Sequence, residues 1–179
     1  MTLIGLVGTK GVGKDTIGDY LTGYTKRAFA TPIKEACAIL FNVPITSFEG
    51  QLKEVVIKKH KMTPRHMLQL VGTDMFREKV HAKFWIRHFQ DWYALHGTDT
   101  NVVVTDVRFQ NEVDAIKALG GVVVRILRPE SNGGQPTTDT HITEKGVADL
   151  RGVNYWINNE TSIDRLHKQI DNLIDYITS

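Results

Sequence analysis

The chain predicts an α/β fold built on a parallel sheet, and three observations carry that expectation. Continuous apolar, largely β-branched runs stand at residues 2–7, 101–105 and 122–127, the mark of strands covered on both faces. Between them, apolar residues recur at three- and four-residue spacing, the period of helices. The first run leads directly into a glycine-rich loop and then a helix, and strands that alternate with helices build a parallel sheet through right-handed crossovers.

Each element can be justified in order. Residues 2–7 form a buried strand, and a helix runs from Lys14 to about Tyr24. A short second strand covers 27–30. Pro32 then sits where a helix begins, and residues 33–41 continue it. Thr63-Pro64 is another start, a hydroxyl N-cap with proline in the first turn. From there to Gly97 the spacing of Met67, Leu68, Val71, Trp85, Ile86, Phe89, Trp92 and Tyr93 reads as helix, with the aromatics in the core. Strand 101–105 is followed by a helix over 109–119 that stops at Gly120-Gly121 in a left-handed turn. Strand 122–127 leads to a polar loop, 129–140, rich in Gly and Pro. A last strand spans 153–157. Thr161 caps a closing helix with Leu166, Ile170, Leu173, Ile174 and Ile177 on its apolar side. The helical block from 42 to 97 interrupts the alternation and is expected to cap the carboxyl edge of the sheet.

Composition bounds the function. At 179 residues the chain fits one domain, able to bury about 70% of its unfolded surface. A net charge of +2 does not call for a nucleic-acid partner, and the basic stretch 53–65 reads first as a solvated helix face. The single cysteine, Cys37, rules out an intrachain disulfide and a cysteine zinc site, and it lies in an apolar helical stretch. No histidine pair has metal-ligand spacing. The chain opens on a strand rather than a signal peptide, and no apolar run reaches membrane-spanning length. A soluble cytoplasmic protein is expected, with no membrane partner.

The chemistry concentrates in Gly8-Thr9-Lys10-Gly11-Val12-Gly13-Lys14-Asp15-Thr16. This is a phosphate-binding loop of the Walker A type, in which backbone amides wrap a polyphosphate and the lysine neutralises its outer phosphates. It departs from the usual pattern at Asp15, where Ser or Thr ordinarily follows the lysine. Asp106, at the end of a buried strand, stands where such proteins place the carboxylate that organises Mg²⁺; the alternative is a cap for the next helix. Arg108 could clamp a phosphate. Arg125 reads as a surface salt-bridge partner, whereas Arg128, at the exit of its strand, is placed to meet a transferred phosphate. Arg65, Gln69, Thr73 and Arg77, four apart, line one helical face. That stripe is either the wet face of the helix or a surface that recognises a phosphate and a base edge.

Taken together, several blocks resemble the bacteriophage-type deoxynucleoside monophosphate kinases. They are the glycine loop with Lys14-Asp15-Thr16, Phe29-Ala30-x-Pro32-x-Lys34, and Leu68-Gln69-x-x-Gly72-Thr73 followed by Arg77. Thr105-Asp106-Val107-Arg108-Phe109-x-Asn111-Glu112, Arg125-Ile126-x-Arg128-Pro129 and His141-x-Thr143-Glu144 complete the set. The resemblance spans most of the chain. It implies a single P-loop kinase domain over 1–179 that transfers the γ-phosphate of ATP, with Mg²⁺, to a deoxynucleoside monophosphate. Gly11, Val12, Gly13, Lys14, Asp15 and Thr16 would hold the donor phosphates, with Asp15 and Asp106 near the metal. Lys10, Lys34, Arg65, Gln69, Thr73, Arg77 and Arg108 would surround the acceptor. Lys14, Asp106 and Arg128 would act in catalysis, and 129–140 would form a lid. A homodimer is left open.

Rival readings have less behind them. One rival within the enzymes is a P-loop kinase for another small phosphorylated or hydroxylated acceptor, such as phosphomevalonate or dephospho-coenzyme A. A GTPase-like switch needs a DxxG turn after a strand and an NKxD motif. Asp149-Leu150-Arg151-Gly152 matches the first only nominally, and the second is missing from the sequence. A nucleic-acid-binding protein has only the basic stretch.

Overall fold

The sheet has five strands in the order β2-β3-β1-β4-β5, and every pair is parallel. A computed structural model describes residues 1–129, 146–160 and 162–179. β1 (Leu3–Val7) is fully buried and central, flanked by β3 (Asn101–Val107) and β4 (Val122–Leu127). The α/β expectation and its parallel five-stranded sheet therefore hold. Alternation along β1 sorts the two faces. Ile4 and Leu6 join Val103, Val124 and Ile126 in a core closed by α1 (Lys14–Tyr20) and α6 (Ile163–Thr178). On the other face, Gly5 lies against Ile116 of α5 (Gln110–Ala118), so closely that a Cβ there would meet its side chain at 3.3 Å.

The edge strands are displaced from where the sequence suggests, β2 toward the N-terminus and β5 toward the C-terminus. β2 is Tyr24–Arg27 rather than 27–30, and α1 ends at Tyr20 instead of reaching Tyr24. β2 pairs only with β3 and leaves Thr25 and Lys26 exposed, so it lacks the apolar run that marks the inner strands. β5 is Tyr155–Asn158, not 153–157. Asn154 is committed to a side-chain pairing with β4: its Oδ1 accepts from Val123 N at 3.0 Å and its own N–H donates to Val123 O. The inner strands and the stop at Gly120, with φ +77°, fall where expected. For α6 the cap is Ser162, whose Oγ accepts from Arg165 N, and Thr161 lies outside the described residues.

The described residues form two compact units, Met1–Ala28 with Gln90–Ser179, and Phe29–Phe89. The second has its own core of Cys37, Val43, Phe48, Met67 and Val71 beneath α2 (Thr31–Phe41) and α3 (Pro64–Gln69). Thr63 caps α3 as its sequence predicts. Burial pushes the Cys37 thiol up to about 12, and its Sγ lies 3.6 Å from Met67 O, so it serves as a small core residue.

The helix expected over 64–97 is instead three pieces: α3, a π-helical stretch Leu70–Val80, and α4 (Phe84–His96) after an extended His81. An aromatic cluster accounts for the break. Phe84 and Trp85 lie 4.8 and 5.3 Å from the Phe76 ring, and the buried Trp85 indole donates to Gly72 O at 2.7 Å. Trp85 and Phe89 are core, as expected, and Trp92 lies 4.6 Å under the Arg27 guanidinium.

The basic stretch is not a helix face. Ile57 and Met62 pair across a turn, and Lys59 Nζ and His60 Nε2 reach Asn42 O and Phe41 O at the carboxyl end of α2. Positive charge there offsets the helix dipole. No helix among the described residues is long and apolar enough to cross a membrane.

A stability prediction follows from the α6 packing. Ile170→Ala, at a fully buried position, should cost about 2–5 kcal/mol in denaturant unfolding. Tyr176→Ala, on the exposed side of the same helix, should stay within about 1 kcal/mol.

Candidate active site

The glycine loop sits at the carboxyl end of the central strand, where ligands of open parallel sheets bind. Its first glycine is dictated by packing. A Cβ on Gly8 would meet Val12 Cγ2 at 2.7 Å and Ile126 O at 2.9 Å. Its last is dictated by backbone: Gly13 has φ +104° and begins α1, which no side chain caps. Successive turns of this kind aim backbone N–H groups into one concavity suited to an anion.

Lys14 is the chemical centre. It is only 9% exposed, and its Nζ donates to Gly8 O at 2.6 Å and Thr9 O at 2.8 Å. Its pKa falls from the ordinary 10.5 to about 8, chiefly through burial and then through the Arg108 guanidinium, with Asp15 and Asp106 opposing. Lys14, Asp15, Asp106 and Arg108 therefore share one electrostatic environment. Arg128, at the exit of β4, reaches the same loop, with Nη1 3.4 Å from Gly11 O.

Asp106 is half-buried near the end of β3. The cap position of α5 is Phe109, and the carboxylate that reaches back to this helix start is Glu112, accepting from Arg108 N at 2.8 Å and Phe109 N at 3.1 Å. Asp15 is 86% exposed and lies 3.8 Å from Lys26. Lys10, Gly11 and Thr16 are exposed, and Val12 is buried.

Other predicted residues belong to the Phe29–Phe89 unit and are described there by themselves. Lys34 pairs with Glu49 at 2.7 Å, and Arg65 places Nε and Nη2 on one oxygen of Glu54 at 2.8 and 2.7 Å. Gln69 and Arg77 are half-buried and Thr73 is buried. The π-helical stretch keeps this stripe together. Four residues overshoot an α-helical turn by about 40°, but they fall short of the wider turn closed by i→i+5 bonds. The drift from Arg65 to Gln69 is thus partly reversed from Thr73 to Arg77.

Three site-building residues carried little signal. Glu112 stands three after Phe109, the spacing of a capping box without its hydroxyl. Arg125, read as a surface salt-bridge partner, instead donates among the described residues to Ala148 O and Leu150 O, tying the 147–149 turn to β4. Asn159, just past β5, donates Nδ2 to Val12 O at 2.9 Å. The expected lid, apart from Pro129, and His141, Thr143 and Glu144 lie outside the described residues.

A parallel sheet with this loop on its middle strand, a buried lysine at the helix start and a carboxylate on the adjacent strand defines a P-loop kinase. Solved structures agree on the fold. The chain is similar to dephospho-CoA kinase from Campylobacter jejuni, with a TM-score of 0.57, 15% identity and 98% and 96% of the two chains covered. It is similar to TT1252 from Thermus thermophilus at a TM-score of 0.56 and 14% identity over 99% and 98%.

Within that class, the chain belongs to the deoxynucleotide monophosphate kinase family, whose model matches residues 42–170. It is 35% identical to a putative deoxynucleotide monophosphate kinase of Acanthamoeba polyphaga mimivirus, over 98% of this chain and 97% of that protein. It is 31% identical to the deoxynucleotide monophosphate kinase of Enterobacteria phage T4 over 62% of this chain, which spans 44% of the phage protein. The deoxynucleoside-5'-monophosphate kinase of Escherichia phage T5 is 28% identical, over 64% of this chain and 46% of its own length.

Two outcomes test this geometry. Between about pH 8 and 10.5 folded Lys14 holds fewer protons than unfolded Lys14, so its contribution makes stability rise with pH. Anion binding should fall across the same window, by up to about tenfold per pH unit. Tripolyphosphate titrations and urea unfolding at several pH values should show these opposite slopes in the native protein, less those of Lys14→Met. Separately, Glu112→Ala strips the acceptor from two backbone N–H groups and should cost about 1–3 kcal/mol in thermal or denaturant unfolding.

Proposed function

We propose that this protein transfers the γ-phosphate of ATP to the phosphate of a deoxynucleoside monophosphate, releasing ADP and the deoxynucleoside diphosphate. The observation that carries the reading is the buried Lys14 at the mouth of the glycine loop, in a chain aligned almost end to end with a relative named for this chemistry.

Phosphoryl transfer asks little covalent work of a protein, so placement and charge supply the catalysis. The amides of Gly11 to Lys14 hold the donor's β- and γ-phosphates, and Lys14 trades its two carbonyl partners for phosphate oxygens. Binding an anion raises the lysine's lowered pKa, which keeps the ammonium charged at neutral pH. Arg128 leaves Gly11 O for the oxygens of the transferred group, where charge develops. Lys34, Arg65, Gln69, Thr73 and Arg77 recognise the acceptor. Glu49 pairs with Lys34 and Glu54 with Arg65, and such partly exposed pairs are worth about 0–1 kcal/mol. An incoming phosphate can displace those carboxylates at little cost.

The donor set suits Mg²⁺. Asp106, Asp15 and Thr16 offer only oxygen, the donor a hard cation takes. Mg²⁺ ordinarily takes one or two carboxylates plus substrate phosphates and water. When bound, it would neutralise charge on the donor phosphates. Asp106 is the residue best placed to orient it, directly or through water.

Coupled ADP release across the common deoxy- and ribonucleoside monophosphates tests the activity. Turnover with at least one deoxynucleotide is expected, and tight GTP binding without any turnover would refute it. Lys14→Ala should lower kcat/KM by at least about 10³-fold with the fold intact by circular dichroism. Arg77→Ala and Gln69→Ala should raise KM for the monophosphate about tenfold and leave KM for ATP near the native value. Equal losses for both substrates would assign the stripe to folding.

A further inference from the structure

We infer that Asn159 is a positioning residue for the phosphate loop: its side-chain amide fixes the peptide between Val12 and Gly13, so that the Gly13 N–H faces the polyphosphate. The inference rests on the reading of that loop as the donor site. Asn159 Nδ2 donates to Val12 O at 2.9 Å. The oxygen of Val12 and the N–H of Gly13 are opposite ends of one planar trans peptide, and they point in opposite directions. Anchoring the oxygen on one side therefore aims the N–H at the other. Without the anchor this peptide has a ready way to turn, because Gly13, at φ +104°, has no Cβ to restrict it.

The contact is close on its other side too. A Cβ on Gly13 would lie 2.6 Å from Asn159 Nδ2, so the glycine makes room for the asparagine as well as for phosphate. Asn159 is itself held firmly. Its backbone N–H donates to Leu127 O at 2.8 Å, and its neighbour Asn158 is bracketed by the Gln169 amide, which accepts from Asn158 N at 2.9 Å and donates to Asn158 O at 2.8 Å. A rigid strand end thus carries the donor to the loop. Four of the loop's carbonyls are shared among three side chains: Lys14 on Gly8 and Thr9, Arg128 on Gly11, and Asn159 on Val12. Lys14 and Arg128 are cations that phosphate can draw away. Asn159 is neutral, so it can keep its carbonyl while the anion binds.

Asn159→Asp keeps the shape and replaces the donor with an oxygen facing a carbonyl oxygen. Asn159→Ala removes the contact and serves if the first variant folds poorly. Calorimetric binding of inorganic tripolyphosphate and of ADP should weaken about tenfold or more in Asn159→Asp and about threefold or more in Asn159→Ala. KM for the monophosphate should stay within about twofold. In ¹⁵N-labelled native protein the Gly13 amide should shift strongly downfield on addition of tripolyphosphate, and that shift should shrink in both variants. The inference is overturned if both variants bind tripolyphosphate within about twofold of native while Lys14→Met loses binding. It is also overturned if they lose ADP and monophosphate equally along with their melting temperature, the signature of a structural role alone. Normal tripolyphosphate binding by Lys14→Met would overturn the donor-site reading itself, and this inference with it.

Discussion

An ammonium group held in the protein by two carbonyls of its own loop is the constraint around which the rest is arranged. Lys14 cannot sit there unless Gly8 lets the chain fold back against β4, and unless Gly11 and Gly13 adopt left-handed backbone. Burial weakens its hold on the proton, and Arg108 weakens it further, while Asp15 and Asp106 restore part of the loss. The result is a cation with little water around it, whose ammonium donates to the carbonyls of Gly8 and Thr9. An arriving polyphosphate offers such a group a far stronger electrostatic partner than the carbonyls it leaves.

The sheet order makes that arrangement possible. With β1 in the middle, the ends of β3 and β4 flank the loop, so Asp106 and Arg108 come from one side and Arg128 from the other. Side chains outside the loop brace the backbone around it. Glu112 holds the turn that carries Arg108, Arg125 ties the 147–149 turn to the strand that ends at Arg128, and Gln169 braces the end of β5. The Phe29–Phe89 unit follows a different logic, in which the cations Lys34 and Arg65 are paired with exposed carboxylates.

What could be read in the sequence was what repeats or what forces a residue type. The inner strands announce themselves because burial on both faces excludes polar residues, and the loop does so because bare backbone must approach anions. β2 and β5 were misplaced because an edge strand needs an apolar residue only on its covered face. The break at His81 was invisible to periodicity, since the aromatic cluster that imposes it gathers Phe76, Phe84 and Trp85 from both sides of the break. Asn159 was illegible for a similar reason. Nothing about an asparagine after a strand says that it will meet a glycine 146 positions earlier.

The same topology bears on how the protein is made. β1 leaves the ribosome before the other four strands, yet its hydrogen-bonding neighbours are residues 101–107 and 122–127. At about 5–20 residues per second, translation leaves that wholly apolar strand without a partner for roughly 5–20 s. Helical segments within Phe29–Phe89 can close locally in that interval, whereas the nucleotide loop must wait for both flanking strands and then for the turn at residue 159. Nascent chains stalled before that point would carry an exposed, sticky strand and no competent site.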